Sequence, residues 1–328
     1  MNSQQARVGS GLYIMLFSVH GLLRGSDMEL GRDADTGGQI QYVVELAKAL
    51  SNHPRIRKVD LVTRLIRAKG VDDSYAQPFE RLTEKAQIVR IPFGPRRYLR
   101  KENLWPHLFA LVDGAIAYLR QSGETPDIIH GHYADGGNAG AHLAKILGVP
   151  YIFTGHSLGR VKRLRLSEKS RSLENLDKRF NFPGRIEAEE TSLDTASLVV
   201  VSSHQEIEEQ YALYDHYDSS RMRVIPPGLD LTRFRAPNAA EGWPQYFEEL
   251  KKFLRHPEKP MVLAIARPDE RKNLATLVRA FGEAEELREM ANLAIVSGNR
   301  ESLEKLDPQS RKVLRNLMVL IDRYDLYG

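Results

Sequence analysis

The sequence predicts an α/β protein built on doubly wound parallel sheets, and three observations carry that expectation. Short apolar runs recur along the 328 residues and alternate with segments of helical periodicity. Those runs are continuously apolar rather than alternating, as in strands covered on both faces. A stretch rich in Pro, Asn, Glu and Lys, from Arg235 to Lys259, then interrupts the pattern, and a new apolar run at Pro260–Ala266 restarts it.

The first unit sets the style of the rest. An apolar run from Leu12 to Ser18 reads as a strand, and Ile40, Val43, Val44, Ala47 and Leu50 recur at helical spacing. Between them lies Asp33-Ala34-Asp35-Thr36-Gly37-Gly38-Gln39. A helix start gathers unpaired N–H groups and positive dipole charge, which favours a bound anion, and two glycines let the backbone approach it. Gly37 and Gly38 are therefore candidate anion contacts.

Further strands are expected near Val59–Thr63 and at Gln87–Ile91, with a loop between them, followed by a helix from about Asn103 to Arg120 that holds Pro106 in its first turn. Strands follow at Asp127–His130 and Tyr151–Thr154, with a helix at Asn138–Leu147 between them. A long basic loop leads to a helix near Ile186–Ala196, a strand at Leu198–Ser202, a helix at Gln205–Leu213 and a strand at Arg223–Ile225. Beyond the break, a strand ending at Ala266, a helix from Asn273 to about Leu287, a strand at Leu293–Ser297 and a helix from Pro308 to about Arg323 complete the chain. Doubly wound sheets usually hold about five or six strands, so the second domain is read as incomplete. The expected division is a first Rossmann-like domain at 1–235, a linker at 236–259 and a partial second Rossmann-like domain at 260–328.

Composition excludes several classes. There are no cysteines, which removes disulfides and thiolate chemistry and fits a reducing, cytoplasmic setting. A net charge of +4 is small for this length, so no nucleic-acid partner is expected. No apolar run reaches the roughly 18 residues of a membrane span, and Met1–Gly11 lacks the apolar core of a secretory signal. Asp33-Ala34-Asp35 has the spacing of a metal-binding acid pair but precedes an anion-binding helix start, so its acids are read as loop and capping residues. His130 and His132, with His156, permit a zinc set by spacing, yet no Cys or close carboxylate completes one, and no metal is expected.

Ligands in such sheets bind at the carboxyl ends of the strands. The loops there are His130–Asn138, Thr154–Arg160 and Ala266–Asn273. With DADTGGQ, HGHYADGG, FTGHSLGR, GRIEAEE, VIPPGLD and ARPDERKN in this order, the sequence resembles the sucrose-phosphate synthase branch of the retaining glycosyltransferases, whose fold is the two-domain GT-B type.

The resemblance implies transfer of glucose from a nucleoside-diphosphate glucose, UDP-glucose or ADP-glucose, to fructose 6-phosphate, with no tightly bound cofactor and no protein-bound Mg2+. It implies that Arg267 and Lys272 hold the diphosphate, with Gly298 and Asn299 also on the donor, and that His156 holds the glucose. Gly38 and Gln39 would lie between donor and acceptor, and Tyr133 and Ser157 would bond the acceptor sugar. A phosphate monoester needs two or three cations: Lys162 and Arg185 are first choices, and Arg97, Arg100 and Lys101 are further partners. A sucrose-phosphate phosphatase is a partner that this chemistry suggests. The family's EPFGLTLIEA-like glutamate phrase is not found before Gly328, so the chain is expected to be a fragment or a shortened form. Sucrose synthase, which uses free fructose, and a non-catalytic sugar-phosphate-binding module remain the alternative readings.

Overall fold

The structure, a computed structural model, describes residues 11–33, 35–168, 172–231, 234–235, 245–297 and 302–327. The chain divides into two compact units, Met1–Asp230 and Leu231–Gly328. The division falls at Asp230 rather than at 235, and part of the expected linker is a helix, Gln245–Lys251.

In the first unit, β1 (Leu12–Phe17) pairs in parallel with β2 (Ile56–Arg64) on one side and β5 (Ile128–His132) on the other. Outward from these lie β4 (Ala86–Ile91) beyond β2, and β6 (Tyr151–Thr154), β7 (Leu198–Val201) and β8 (Met222–Val224) beyond β5, all parallel. A short antiparallel strand, β3 (Phe79–Arg81), edges the sheet where the sequence reading had only a loop. Its order is β3-β4-β2-β1-β5-β6-β7-β8.

Strand periodicity builds a core on each face. Tyr13, Met15 and Phe17 of β1 join one apolar cluster, and Ile14 and Leu16 join the other. Helix α1 (Gly38–Ser51) covers the second face with Ile40, Val43, Val44 and Ala47, all fully buried. Helices α2 (Leu108–Ser122) and α3 (Tyr133–Leu147) lie on the first.

Three expectations need correction. The helix expected from Asn103 begins only at Leu108, because Lys101–Asn103 and Trp105–His107 form separate 3-10 turns. The loop expected at His130–Asn138 is absent: β5 continues through His132 and α3 starts at Tyr133. Its glycines serve packing, since a Cβ at Gly136 would meet the Phe17 carbonyl oxygen at 2.5 Å and one at Gly137 the Phe153 ring at 2.6 Å. The long basic loop is helical as α4 (Gly159–Ser167), α5 (Leu173–Phe180) and α6 (Phe182–Thr195), among which 169–171 lie outside the described residues, and α7 (His204–Glu209) follows β7.

In the second unit, β9 (Met261–Ile265) and β10 (Asn292–Val296) form a parallel pair. With α8 assigned to Gln245–Lys251, α9 (Leu274–Glu283) and α11 (Pro308–Arg323) pack Leu274, Val278, Leu317 and Leu320 into a small core. The helix expected to run to Leu287 breaks at Ala284, after which α10 (Glu285–Met290) begins.

Candidate active site

The loop after β1 is held by its own acids. Asp33 Oδ1 accepts the N–H groups of Asp35 and Thr36 at 2.7 and 2.8 Å, and Thr36 Oγ1 accepts the Leu22 N–H at 3.1 Å. Asp35, buried, accepts the Lys101 N–H at 2.9 Å and is ion-paired to the Lys101 ammonium. Burial pushes the Asp35 carboxyl up, but the hydrogen bonds and charge of Lys101 outweigh it and hold the carboxyl below its ordinary range. Asp33 is thus engaged within the loop, and Asp35 ties the loop to Lys101.

What this leaves open is the start of α1. Gly37 caps the helix with backbone only, no side chain among the described residues bonds its first N–H groups, and the first turn holds no acid. Beyond the adjoining backbone, no atom of the described residues lies within 4 Å of where a Cβ on Gly37 or Gly38 would stand. Beside them, Gln39 Nε2 is buried and has no hydrogen-bond partner among the described residues. Free N–H groups, an unopposed helix dipole and an unused amide donor together suit an anion.

The ends of β5 and β6 carry a row of imidazoles, because the register sets His130 opposite Ile152 and His132 opposite Thr154. His130 Nε2 lies 2.8 Å from Thr154 Oγ1, and His132 Nδ1 lies 3.1 Å from His156 Nε2. His130 and His132 pack with ring centroids 4.1 Å apart, and Tyr42 of α1 meets the His156 ring edge-on at 5.0 Å. Burial, with the charge of His156, lowers the His130 pKa to about 3. Burial and the two neighbouring histidines hold His132 well below its ordinary value.

His156 adopts φ +56, a left-handed conformation that costs a β-carbon-bearing residue on the order of 1 kcal/mol or more. His156 is exposed as a residue, while burial of its ring nitrogens among protein atoms, with the charge of His20, lowers its pKa to about 3. His20 Nδ1 lies 2.8 Å from Asp135 Oδ2, and the ring meets Tyr133 edge-on at 4.5 Å. Among the described residues, no group of three or more His, Cys, Asp or Glu is arranged to hold a metal.

The strained loop is fixed from below by α6. Glu189, fully buried, accepts the Gly159 N–H with both oxygens at 3.1 and 2.9 Å, which caps α4, and also takes the Tyr214 hydroxyl. Arg185 donates to Glu189 at 2.9 Å and to the Ser157 carbonyl at 2.6 Å, and its guanidinium stacks 4.6 Å from the Tyr133 ring. Arg185 is 3% exposed, so the structure gives it a loop-holding role beside Ser157 and Tyr133 instead of an open cation. Lys162 Nζ lies 4.3 Å over the Phe180 ring.

Arg97 and Arg100 are exposed and, among the described residues, not ion-paired; with Arg32 and Asp33 they line a hollow of about 520 Å³. Lys101 is committed to Asp35 and Glu102.

In the second unit, Arg267 and Lys272 are exposed, and neither is ion-paired among the described residues. Asp269 instead takes Arg271, and Lys272 ends a 3-10 turn, Glu270–Lys272, just before α9. Gly298 and Asn299 lie outside the described residues.

Sequence reasoning assigned no role to Glu189, Tyr42, His20 or Asp135. Glu189 had a signal, its place four residues after Arg185 on a helical pattern. The His20–Asp135 pair, far apart in sequence, had none.

This fold is that of the GT-B glycosyltransferases. The chain aligns with a sucrose-phosphate synthase structure from Thermosynechococcus elongatus at 26% identity and TM-score 0.66, covering 96% of this chain and 68% of that one. It shares the fold of the catalytic domain of starch synthase IV from Arabidopsis thaliana at 16% identity and TM-score 0.59, over 97% and 73% of the two chains. Residues 1–232 match the family described as the sucrose synthase first GT-B domain, and the chain belongs to that family. It is 43% identical to the probable sucrose-phosphate synthase 1 of Citrus unshiu over 98% of its own length, and 42% identical to sucrose-phosphate synthase 4 of Arabidopsis thaliana over 99%. It spans 36% and 37% of the lengths of those two relatives.

Proposed function

We propose that the chain carries the acceptor side of a sucrose-phosphate synthase and the beginning of its donor side. The reaction moves glucose from UDP-glucose or ADP-glucose to fructose 6-phosphate with retained anomeric configuration. The anomeric C1–O bond to the diphosphate breaks, a bond to the acceptor hydroxyl oxygen forms, and the hydroxyl proton passes to the diphosphate.

The observation that carries this reading is the uncapped start of α1, where Gly37 and Gly38 leave open space and Gln39 Nε2 lacks a partner. Backbone N–H groups fixed there meet charge that grows on phosphate oxygens as the bond breaks. Arg267 and Lys272 supply cations for the diphosphate, and His156 binds the glucose. Arg97, Arg100, Lys101 and Lys162 surround the fructose phosphate, while Arg185 holds the Ser157 and Tyr133 surfaces against the sugar. No metal enters the scheme.

A second reading, sucrose synthase with free fructose, draws on the family match of residues 1–232. Lys162→Ala and Arg100→Ala, assayed with both acceptors, separate the two. Losses confined to fructose 6-phosphate support the phosphate assignment, and equal losses with fructose sink it. Binding of fructose 6-phosphate without transfer from either nucleotide sugar would leave these 328 residues a binding fragment.

A further inference from the structure

We infer that His132 is a positioning residue that fixes the tautomer of His156, so that His156 presents its Nδ1–H as a hydrogen-bond donor to the ligand. The inference rests on the reading that His156 faces a sugar ligand, and it names the protonation pattern by which it does so.

The geometry sets up a choice of two arrangements. His132 Nδ1 and His156 Nε2 are 3.1 Å apart, so one nitrogen carries the proton and the other accepts it. His132 is 0% exposed, and its other nitrogen, Nε2, is buried with no hydrogen-bond partner among the described residues. If His132 accepted from His156, its own proton would sit on Nε2, an N–H sealed from water with nothing to receive it. If His132 donates from Nδ1, the buried Nε2 is a bare lone pair. Orphaned buried N–H groups are rarer in proteins than under-used acceptors, so the second arrangement wins.

His132 is held neutral. Burial and the adjacent imidazoles disfavour a charged His132, so it does not escape the choice by carrying both protons. His130, locked to Thr154 Oγ1 at 2.8 Å, packs against the His132 ring with centroids 4.1 Å apart and restrains it. Tyr42 packs edge-on against His132 and His156 at 6.0 and 5.0 Å.

The consequence falls on His156. With its Nε2 lone pair occupied by His132, its single proton lies on Nδ1, which makes no hydrogen bond among the described residues. The left-handed backbone at φ +56 holds the ring at the strand end. Such a group is a donor and not a base, and it suits an oxygen with lone pairs, such as a sugar hydroxyl. A free histidine would divide its proton between two nitrogens; here the row of imidazoles preselects one.

The test reads the tautomer directly. In 15N-labelled chain, long-range 1H–15N spectra distinguish a protonated ring nitrogen from an unprotonated one. His156 is expected to show an unprotonated Nε2 and a protonated Nδ1 at neutral pH. His132→Phe should release this into a mixture of tautomers, and His132→Asn, whose amide can donate from nearly the same place, should restore it. A wild-type His156 protonated on Nε2 would overturn the inference without any variant having to fold. So would an unchanged tautomer in a folded His132→Phe chain. Adding UDP-glucose then separates the two layers: a shifted Nδ1 resonance supports the ligand-facing reading. An unmoved one, with the tautomer as expected, sinks that reading and leaves the role of His132 intact.

Discussion

Arg185 and Glu189 lie one turn apart on α6, joined at 2.9 Å and almost wholly buried, and between them they hold both ends of the loop that carries His156. Glu189 grips the Gly159 N–H where α4 begins, and Arg185 grips the Ser157 carbonyl at 2.6 Å. The strained conformation of His156 is therefore held by a helix that lies some thirty residues further along the chain.

Removing one partner exposes this dependence. Glu189→Ala leaves a buried guanidinium unpaired and should cost about 3–5 kcal/mol, read as a lower urea midpoint. The double variant Arg185→Met, Glu189→Gln should recover much of that stability while losing ligand affinity, because the loop is no longer held. A Glu189→Ala chain as stable as the parent would show that the pair does not carry the loop.

The buried imidazoles make stability depend on pH. His130 and His132 have folded-state pKa values below their ordinary 6.5, to about 3 for His130. Between those limits the unfolded chain binds more protons than the folded one, so stability is full above 6.5 and declines as the pH falls toward 3. His130 contributes a slope of about 1.4 kcal/mol per pH unit in that window, and His132 adds to it in the same direction. Urea midpoints at pH 7 and pH 5 measure the decline, and His132→Asn should remove one histidine's share. Equal slopes in the two chains would contradict the assignment.

Lys101 and Arg100 are neighbours with different duties. Lys101→Met should weaken fructose 6-phosphate binding and also cost about 2–3 kcal/mol of stability, since it strands the Asp35 carboxylate; the ammonium is partly solvated, which limits the loss. Arg100→Ala, on the exposed hollow, should weaken binding and leave the melting temperature unchanged. The paired comparison of calorimetric affinity and thermal melting checks both, and a stable Lys101→Met chain would refute the ion-pair role.

Much of the fold was legible because strands buried on both faces write themselves as continuous apolar runs, as at Leu12–Phe17 and Tyr151–Thr154. The helix at Pro308–Arg323 was equally plain, with Asp307 capping it and proline at its start. Failures came where local pattern and tertiary packing part. His130-Gly131-His132 looked like a polar loop, yet its polar side chains are buried within β5 by neighbours remote in sequence. Gly136 and Gly137 suggested a ligand turn and instead press α3 against the sheet. The basic stretch that forms α4 carries little apolar periodicity, so that helix depends on contacts such as Glu189 with Gly159. The open start of α1 was legible in two glycines; the pairing of Arg185 with Glu189 one turn on was written in their spacing, whereas the grip of Arg185 on the Ser157 carbonyl, 28 residues back in the chain, was not.

The account turns on the start of α1 as the phosphate-facing wall, and Gly38→Ala tests it most directly. Beyond the adjoining backbone, a Cβ there meets no atom of the described residues within 4 Å, and alanine favours the helix over glycine by roughly 0.5–1 kcal/mol, so the fold should be unharmed or stabilised. The same methyl group would stand where a ligand oxygen must approach the N–H groups. Calorimetric titration with UDP-glucose and with fructose 6-phosphate should therefore show affinity reduced about tenfold or more for at least one of them, alongside an unchanged or raised melting temperature. A Gly38→Ala chain that binds both sugar phosphates like the parent, or a parent chain that binds neither, would contradict the account.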